Sequence, residues 1–247
     1  MDTPSRVDRR AILIAGAGAI LTGCAGSAAP RNRAGEQPKD AADKAKKSDE
    51  PGGEDVAPAE DLMREHGVLN RALLVYEECA RRIQAKEDLN PEPLADSARI
   101  VRTFIEDYHE KLEEDHLFPR YRAANKLVEL VDTLTVQHKA GRRTTERIQA
   151  LARLRSLKDP DESRELLARI REFIRMYRPH EAREDTILFP ALHEIVSRNE
   201  YDAMGEQFER IEHDQLGAEG FERAVERVAA IEKKLGIYDL KQFTPVA

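Results

Sequence analysis

From about residue 60 the apolar positions recur at steps of four and three, without the alternation of a half-buried strand. Leu62, His66, Leu69, Leu73, Tyr76, Ala80 and Ile83 form the first stripe, and Ala98, Val101, Ile105, Tyr108 and Leu112 the second, with His109 and Glu113 on its shoulder. The third runs Leu127, Val131, Leu134, His138, Gly141, Thr145, Ile148 and Ala152; the fourth runs Leu166, Ile170, Phe173, Tyr177, His180, Glu184 and Ile187. Each stripe predicts a helix with one face in a core. A further helix is expected over residues 201–235. Breaks fall at Asn90-Pro91, near Pro119–Asn125, at Asp159-Pro160 and near Pro190–Asn199. Short connections between long amphipathic helices predict an all-α protein, an antiparallel up-down-up-down four-helix bundle. The additional C-terminal helix would pack outside it or across one end. Pro160 suits the first turn of its helix. Pro179 falls mid-helix and predicts a kink just before His180.

Composition adds a boundary at the N-terminus. Arg9-Arg10 precede an 11-residue apolar run, AILIAGAGAIL, that is short for a membrane span and fits a signal-peptide core. It closes on Leu21-Thr22-Gly23-Cys24, which resembles a bacterial lipobox; that resemblance implies lipidation at Cys24 and a membrane-anchored, exported lipoprotein of the cell envelope. The Arg pair resembles a twin-arginine export signal, with Sec export the equal alternative. Residues 25–58 are rich in Pro, Gly, Ala and charge, and read as a flexible linker. The expected organisation is therefore a signal peptide over 1–24, a linker over 25–58 and a helical domain over 59–247. The chain is 35% charged with a net charge of −7 and shows no basic patch, so nucleic acid is not an expected partner. Cys79 is the only cysteine of the folded part, which leaves no internal disulfide to expect.

The chemistry lies in a repeat. HEKLEEDHLFP at 109–119 returns as HEAREDTILFP at 180–190, and each copy follows a lone helical His, His66 or His138, by 43 or 42 positions. Residues four apart stack on one helix face, so His109/Glu113 and His180/Glu184 each form a two-donor blade. Four imidazoles and two carboxylates aimed into a core are costly unless something satisfies them. Metal ions do so; imidazole with carboxylate suits iron, zinc or manganese.

These residues make the chain resemble the hemerythrin-like HHE cation-binding family, over about residues 60–235. The resemblance implies a non-heme di-iron centre held by His66, His109, Glu113, His138, His180 and Glu184, with the two Glu and an oxygen species as bridges. It implies dioxygen, nitric oxide or peroxide as small ligand, bound or turned over with an unidentified redox partner. The chain departs from the oxygen carriers of that family in having Arg142 four residues after His138, where they carry a further His. Glu110, Glu181 or water is expected to fill the position, and His213, in IEHDQLG, is a further candidate. Glu184 is preferred to Asp185 as the fourth-helix carboxylate because an offset of four keeps the blade inward. His116 is expected to be partly exposed and His193 exposed. A ferritin-like site needs Glu-x-x-His on two helices, whereas Glu106-x-x-His109 and Glu113-x-x-His116 share one. Binding is favoured over turnover, and metal storage is the remaining alternative.

Overall fold

The structure, a computed structural model, describes residues 56–245. The expected signal peptide, the Cys24 lipidation site and the linker up to residue 55 lie outside the described residues. Every regular element among them is helical.

Helix α1 (Pro58–Ala85) opens with a proline in its first turn and acids at Glu60 and Asp61, then ends on Lys86 in the left-handed conformation. Helix α2 (residues 92–123) is continuous, with widened π-helical turns at Val101–His109 and Glu113–Leu117. Helix α3 (Val128–Leu151) follows. A short helix α4 (Leu154–Lys158), absent from the sequence expectation, sits in the next connection. Helix α5 (residues 160–191) is capped by the Asp159 side chain, which accepts from the backbone N–H groups of Asp161 and Glu162. Its helical turns continue through Pro179, and its own widened turn lies beyond, at Glu184–Leu188.

Helices α1, α2, α3 and α5 pack in a ring, α1 on α2, α2 on α3, α3 on α5 and α5 on α1, which closes the four-helix bundle. The stripe residues fill it: Leu62, Tyr76, Ile105, Val131, Ile170 and Phe173 are all buried. Phe173 packs edge-on against Tyr76 and stacks on Tyr177.

The expected single helix over residues 201–235 is two. Helix α6 (Arg198–Leu216) ends at Gly217, whose φ of 75° combined with ψ of 177° suits glycine alone, and helix α7 (Gly220–Leu235) starts afresh after Glu219. Helix α7 lies outside the ring against α1 and α2. The Leu-Phe-Pro phrases also end no helix: α2 continues past Pro119 to Ala123 and α5 past Pro190 to Ala191. The two shorter π stretches, Glu113–Leu117 and Glu184–Leu188, stop two residues before these prolines. A proline has no N–H for the carbonyl four residues back, and a local shift to wider bonding accommodates the loss. No helix among the described residues is long and apolar enough to cross a membrane.

Candidate metal centre

Each blade residue is carried inward by its stripe. His66, His109, Glu113, His138, His180 and Glu184 are all buried, at 3% exposure or less. Their donor atoms meet in two groups, His66 with His109 and Glu113, and His138 with His180 and Glu184. The carboxylates also cross between the groups. His66 Nε2 lies 3.4 Å from Glu184 Oε2, and His138 Nε2 lies 3.4 Å from Glu113 Oε2, each from the opposite half of the chain. Within a half, His109 Nε2 is 3.8 Å from Glu113 Oε2 and His180 Nε2 is 3.1 Å from Glu184 Oε1.

The ring nitrogens facing away are spoken for. His66 Nδ1 donates to Asp185 at 2.7 Å, His109 Nδ1 to Glu65 at 2.6 Å, His138 Nδ1 to Glu114 at 3.2 Å and His180 Nδ1 to Gln137 Oε1 at 2.9 Å. With the protons on Nδ1, every Nε2 presents a lone pair to the centre. The Nε2 atoms of His138 and His180 stand only 3.2 Å apart, an arrangement two lone pairs tolerate when a cation lies between them. His109 Nε2 and all four carboxylate oxygens of Glu113 and Glu184 have no hydrogen-bond partner. Buried polar atoms are rarely left so. The donors present thus fit metal ions, with nitrogen and oxygen and no thiolate.

Electrostatics agree. Burial, and the charge of Glu184 beside it, push the Glu113 carboxyl well above the usual range. Burial acts the same way on Glu184, but the nearby His180 and His66 outweigh it and hold that carboxyl low. His66 is opposed by burial yet lifted to about 10 by Asp185 and Glu184, whereas burial drives His138 down to about 4. The carboxylates around His66 thus favour positive charge on its side, while burial disfavours a proton on His109 and His138.

The phrases repeated in sequence are also repeated in space. Asp185 follows Glu184 and supports His66; Glu114 follows Glu113 and supports His138. Glu65 precedes His66 and supports His109; Gln137 precedes His138 and supports His180. Phe189 stacks on His66 and Phe118 on His138, each at 5.5 Å. The sequence reading missed Glu65, Glu114 and Gln137, and saw Asp185 only as a rival to Glu184. Aligning the two halves residue by residue would have exposed all four.

The less certain candidates separate. His213 is 71% exposed beside Asp214 and joins neither group. Helix α6 turns Tyr201, Met204, Gly205 and Phe208 inward, and a residue five positions beyond Phe208 falls off that face. Glu110 is buried, takes the Tyr177 hydroxyl at 2.6 Å and pairs with Arg142 at 2.8 Å. It belongs, with Glu114 and His138, to a third cluster of donors. Glu181 is buried and accepts from Asn70 Nδ2 at 2.6 Å, outside all three groups. Arg142 fills the position of the expected extra His with a cation, bonded to Glu114 as well at 2.8 Å. His116 is half-buried against Phe208, and His193 is exposed beside Tyr201.

Comparison with known proteins bears on this centre. The family model described as the Hemerythrin HHE cation binding domain matches residues 57–192 and 131–243. The chain is 49% identical over 191 residues to an uncharacterized protein of Mycobacterium tuberculosis (strain H37Rv), an alignment spanning 77% of this chain and 74% of that protein. An uncharacterized protein of Mycobacterium bovis matches with the same identity and coverage. No solved structure matches the chain.

Proposed function

This chain belongs to the hemerythrin HHE cation-binding domain family, and from that premise we propose that it holds two non-heme iron ions and binds dioxygen, nitric oxide or peroxide at them. The observation that carries the reading is the convergence of four Nε2 atoms on two buried carboxylates whose oxygens lack hydrogen-bond partners. The doubling of the His pair about Glu113 and Glu184 supports two ions, with both Glu placed to be shared. Zinc and manganese accept the same donor set, and redox chemistry toward a small gas is what favours iron among them. Bound iron would supply Lewis-acid and electron-transfer chemistry to the small ligand.

The chain's own residues supply position and shelter. Glu113 and Glu184 lie between the halves. Asp185, Glu65, Glu114 and Gln137 fix the tautomer and orientation of the four rings. Phe118 and Phe189 cover His138 and His66 and limit the access of water. Placement at the cell envelope rests on the Arg9-Arg10 pair, the apolar run and the Leu21–Cys24 phrase.

Metal analysis and absorption spectra of the purified protein, before and after exposure to dioxygen, nitric oxide or peroxide, test this. Two irons per chain, with a near-ultraviolet charge-transfer band that changes on exposure, are expected. His109→Ala and His180→Ala should each lower the iron content. A folded protein from iron-replete cells that carries zinc or nothing would count against the reading.

A further inference from the structure

The two halves of the centre are alike in geometry and unlike in charge. On one side, His66 is backed by Asp185 and His109 by Glu65, both carboxylates. Neither acid is paired with a Lys or Arg within 4 Å among the described residues; their ion pairs there are with the histidines themselves. On the other side, Glu114 backs His138 at the longer distance of 3.2 Å, while shared with Arg142 at 2.8 Å and Lys111 at 2.5 Å. The second ring there, His180, is backed by the neutral amide oxygen of Gln137. Position for position, Glu65 and Gln137 are the same residue of the repeat: each directly precedes the lone His of its hairpin. A single change from acid to amide, together with Arg142, breaks the electrostatic symmetry.

An acceptor on Nδ1–H acts on a metal through the ring. A carboxylate pulls the proton toward itself, makes Nε2 more basic and adds negative charge a few ångströms from the ion. An amide oxygen orients the ring equally well and adds no charge. Such outer partners are worth about 10–100-fold in metal affinity.

On the two-metal reading above, we propose that the His66/His109 side is the tighter and more electron-rich half-site for a divalent cation and the His138/His180 side the weaker, with Glu65 and Gln137 setting the difference. The weaker ion is the one that exchanges first. The two ions are therefore inequivalent even though each side offers two imidazoles.

Titration of the metal-stripped full chain with Co(II), followed by calorimetry and by the visible absorption of the ion, decides the matter. Two steps are expected, about tenfold or more apart. Glu65→Gln should weaken the tight step by about tenfold and spare the other. Gln137→Glu should strengthen the weak step until the two merge, a gain that a damaged fold cannot imitate. Two ions bound in indistinguishable steps, or a Gln137→Glu protein whose weak step is unmoved, would overturn the inference while leaving the two-metal centre standing. Fewer than two ions bound by the unaltered chain would overturn both.

Discussion

The phenol of Tyr177 fills the space in which a Cβ on Gly141 would stand, and its hydroxyl donates to Glu110 Oε1 at 2.6 Å. Gly141 is thus a packing requirement of helix α3, where no unusual backbone angle calls for glycine. Gly141→Ala should force the ring aside and cost about 1–3 kcal/mol by overpacking. Tyr177→Phe keeps the ring, loses only the hydrogen bond to a buried acid, and should cost about 1–3 kcal/mol. Denaturant unfolding of both checks this, and a Gly141→Ala protein as stable as the parent would show that the ring can move freely.

Glu184 and Asp185 are neighbours with separate tasks. Glu184 is fully buried between His180 and His66, while Asp185, whose side chain is 35% exposed, reaches only the outer nitrogen of His66. Glu184→Gln should abolish binding of the shared ions. Asp185→Asn should retain metal with affinity lower by about 10–100-fold. His213→Ala, on the exposed face of α6, should leave metal content unchanged. Metal content after dialysis against a graded chelator ranks the three, and equal loss in the two acid variants would refute the division.

Among the described residues, Arg142 is the Lys or Arg that pairs with the buried carboxyl of Glu110, and it ties Glu114 to the same spot. It pairs with Glu110 and Glu114 and donates to the Glu106 carbonyl oxygen at 3.1 Å. Arg142→Ala strands Glu110 and should cost about 3 kcal/mol, the typical loss on removing one partner of a buried pair. Arg142→Lys keeps the charge but cannot fork among three acceptors, so an intermediate loss is expected. Melting curves of the two variants should fall in that order.

Acidity should stabilise the metal-free chain. With no cation on His109 to hold it ionised, Glu65 is raised by burial to about 8, and the carboxyls of Asp61, Glu106 and Glu181 to about 7. In the folded chain these groups hold protons that the unfolded chain has already released. Between about pH 5 and 7 the folded state therefore binds more protons, and stability falls as pH rises. Burial lowers His109 and His138, which opposes the trend below the ordinary imidazole range, but the acids outnumber them. Glu106, moved from 4.5 to about 7, accounts for up to about 3 kcal/mol of the decline. Urea midpoints of the metal-free protein should drop from pH 5 to pH 8, and less steeply in Glu106→Gln. A midpoint that rises over that range would contradict the burial of these acids.

Much of the bundle was legible from periodicity, because a helix writes its buried face into local spacing. The stripes through His66, His109, His138 and His180 needed no neighbour to be seen, and the offset of four in His109/Glu113 and His180/Glu184 placed each pair on one face. Where local spacing is silent, expectation slipped. Gly217 divides residues 201–235 by a backbone angle that an apolar pattern does not register. Nor does spacing show that α2 and α5 absorb the prolines of the Leu-Phe-Pro phrases with widened turns and set Phe118 and Phe189 against histidines of the opposite half.

The sequence by itself determined which donors exist, that they come in two matching sets, and that both sets face inward, since all three follow from residue type and helical pitch. Only the tertiary structure decided that Glu113 and Glu184 reach across to the other set, which acid supports which ring, and that His213 stays in solvent. Those facts depend on the positions of side chains on different helices relative to one another to within an ångström. Four separately amphipathic helices do not fix such positions until they pack.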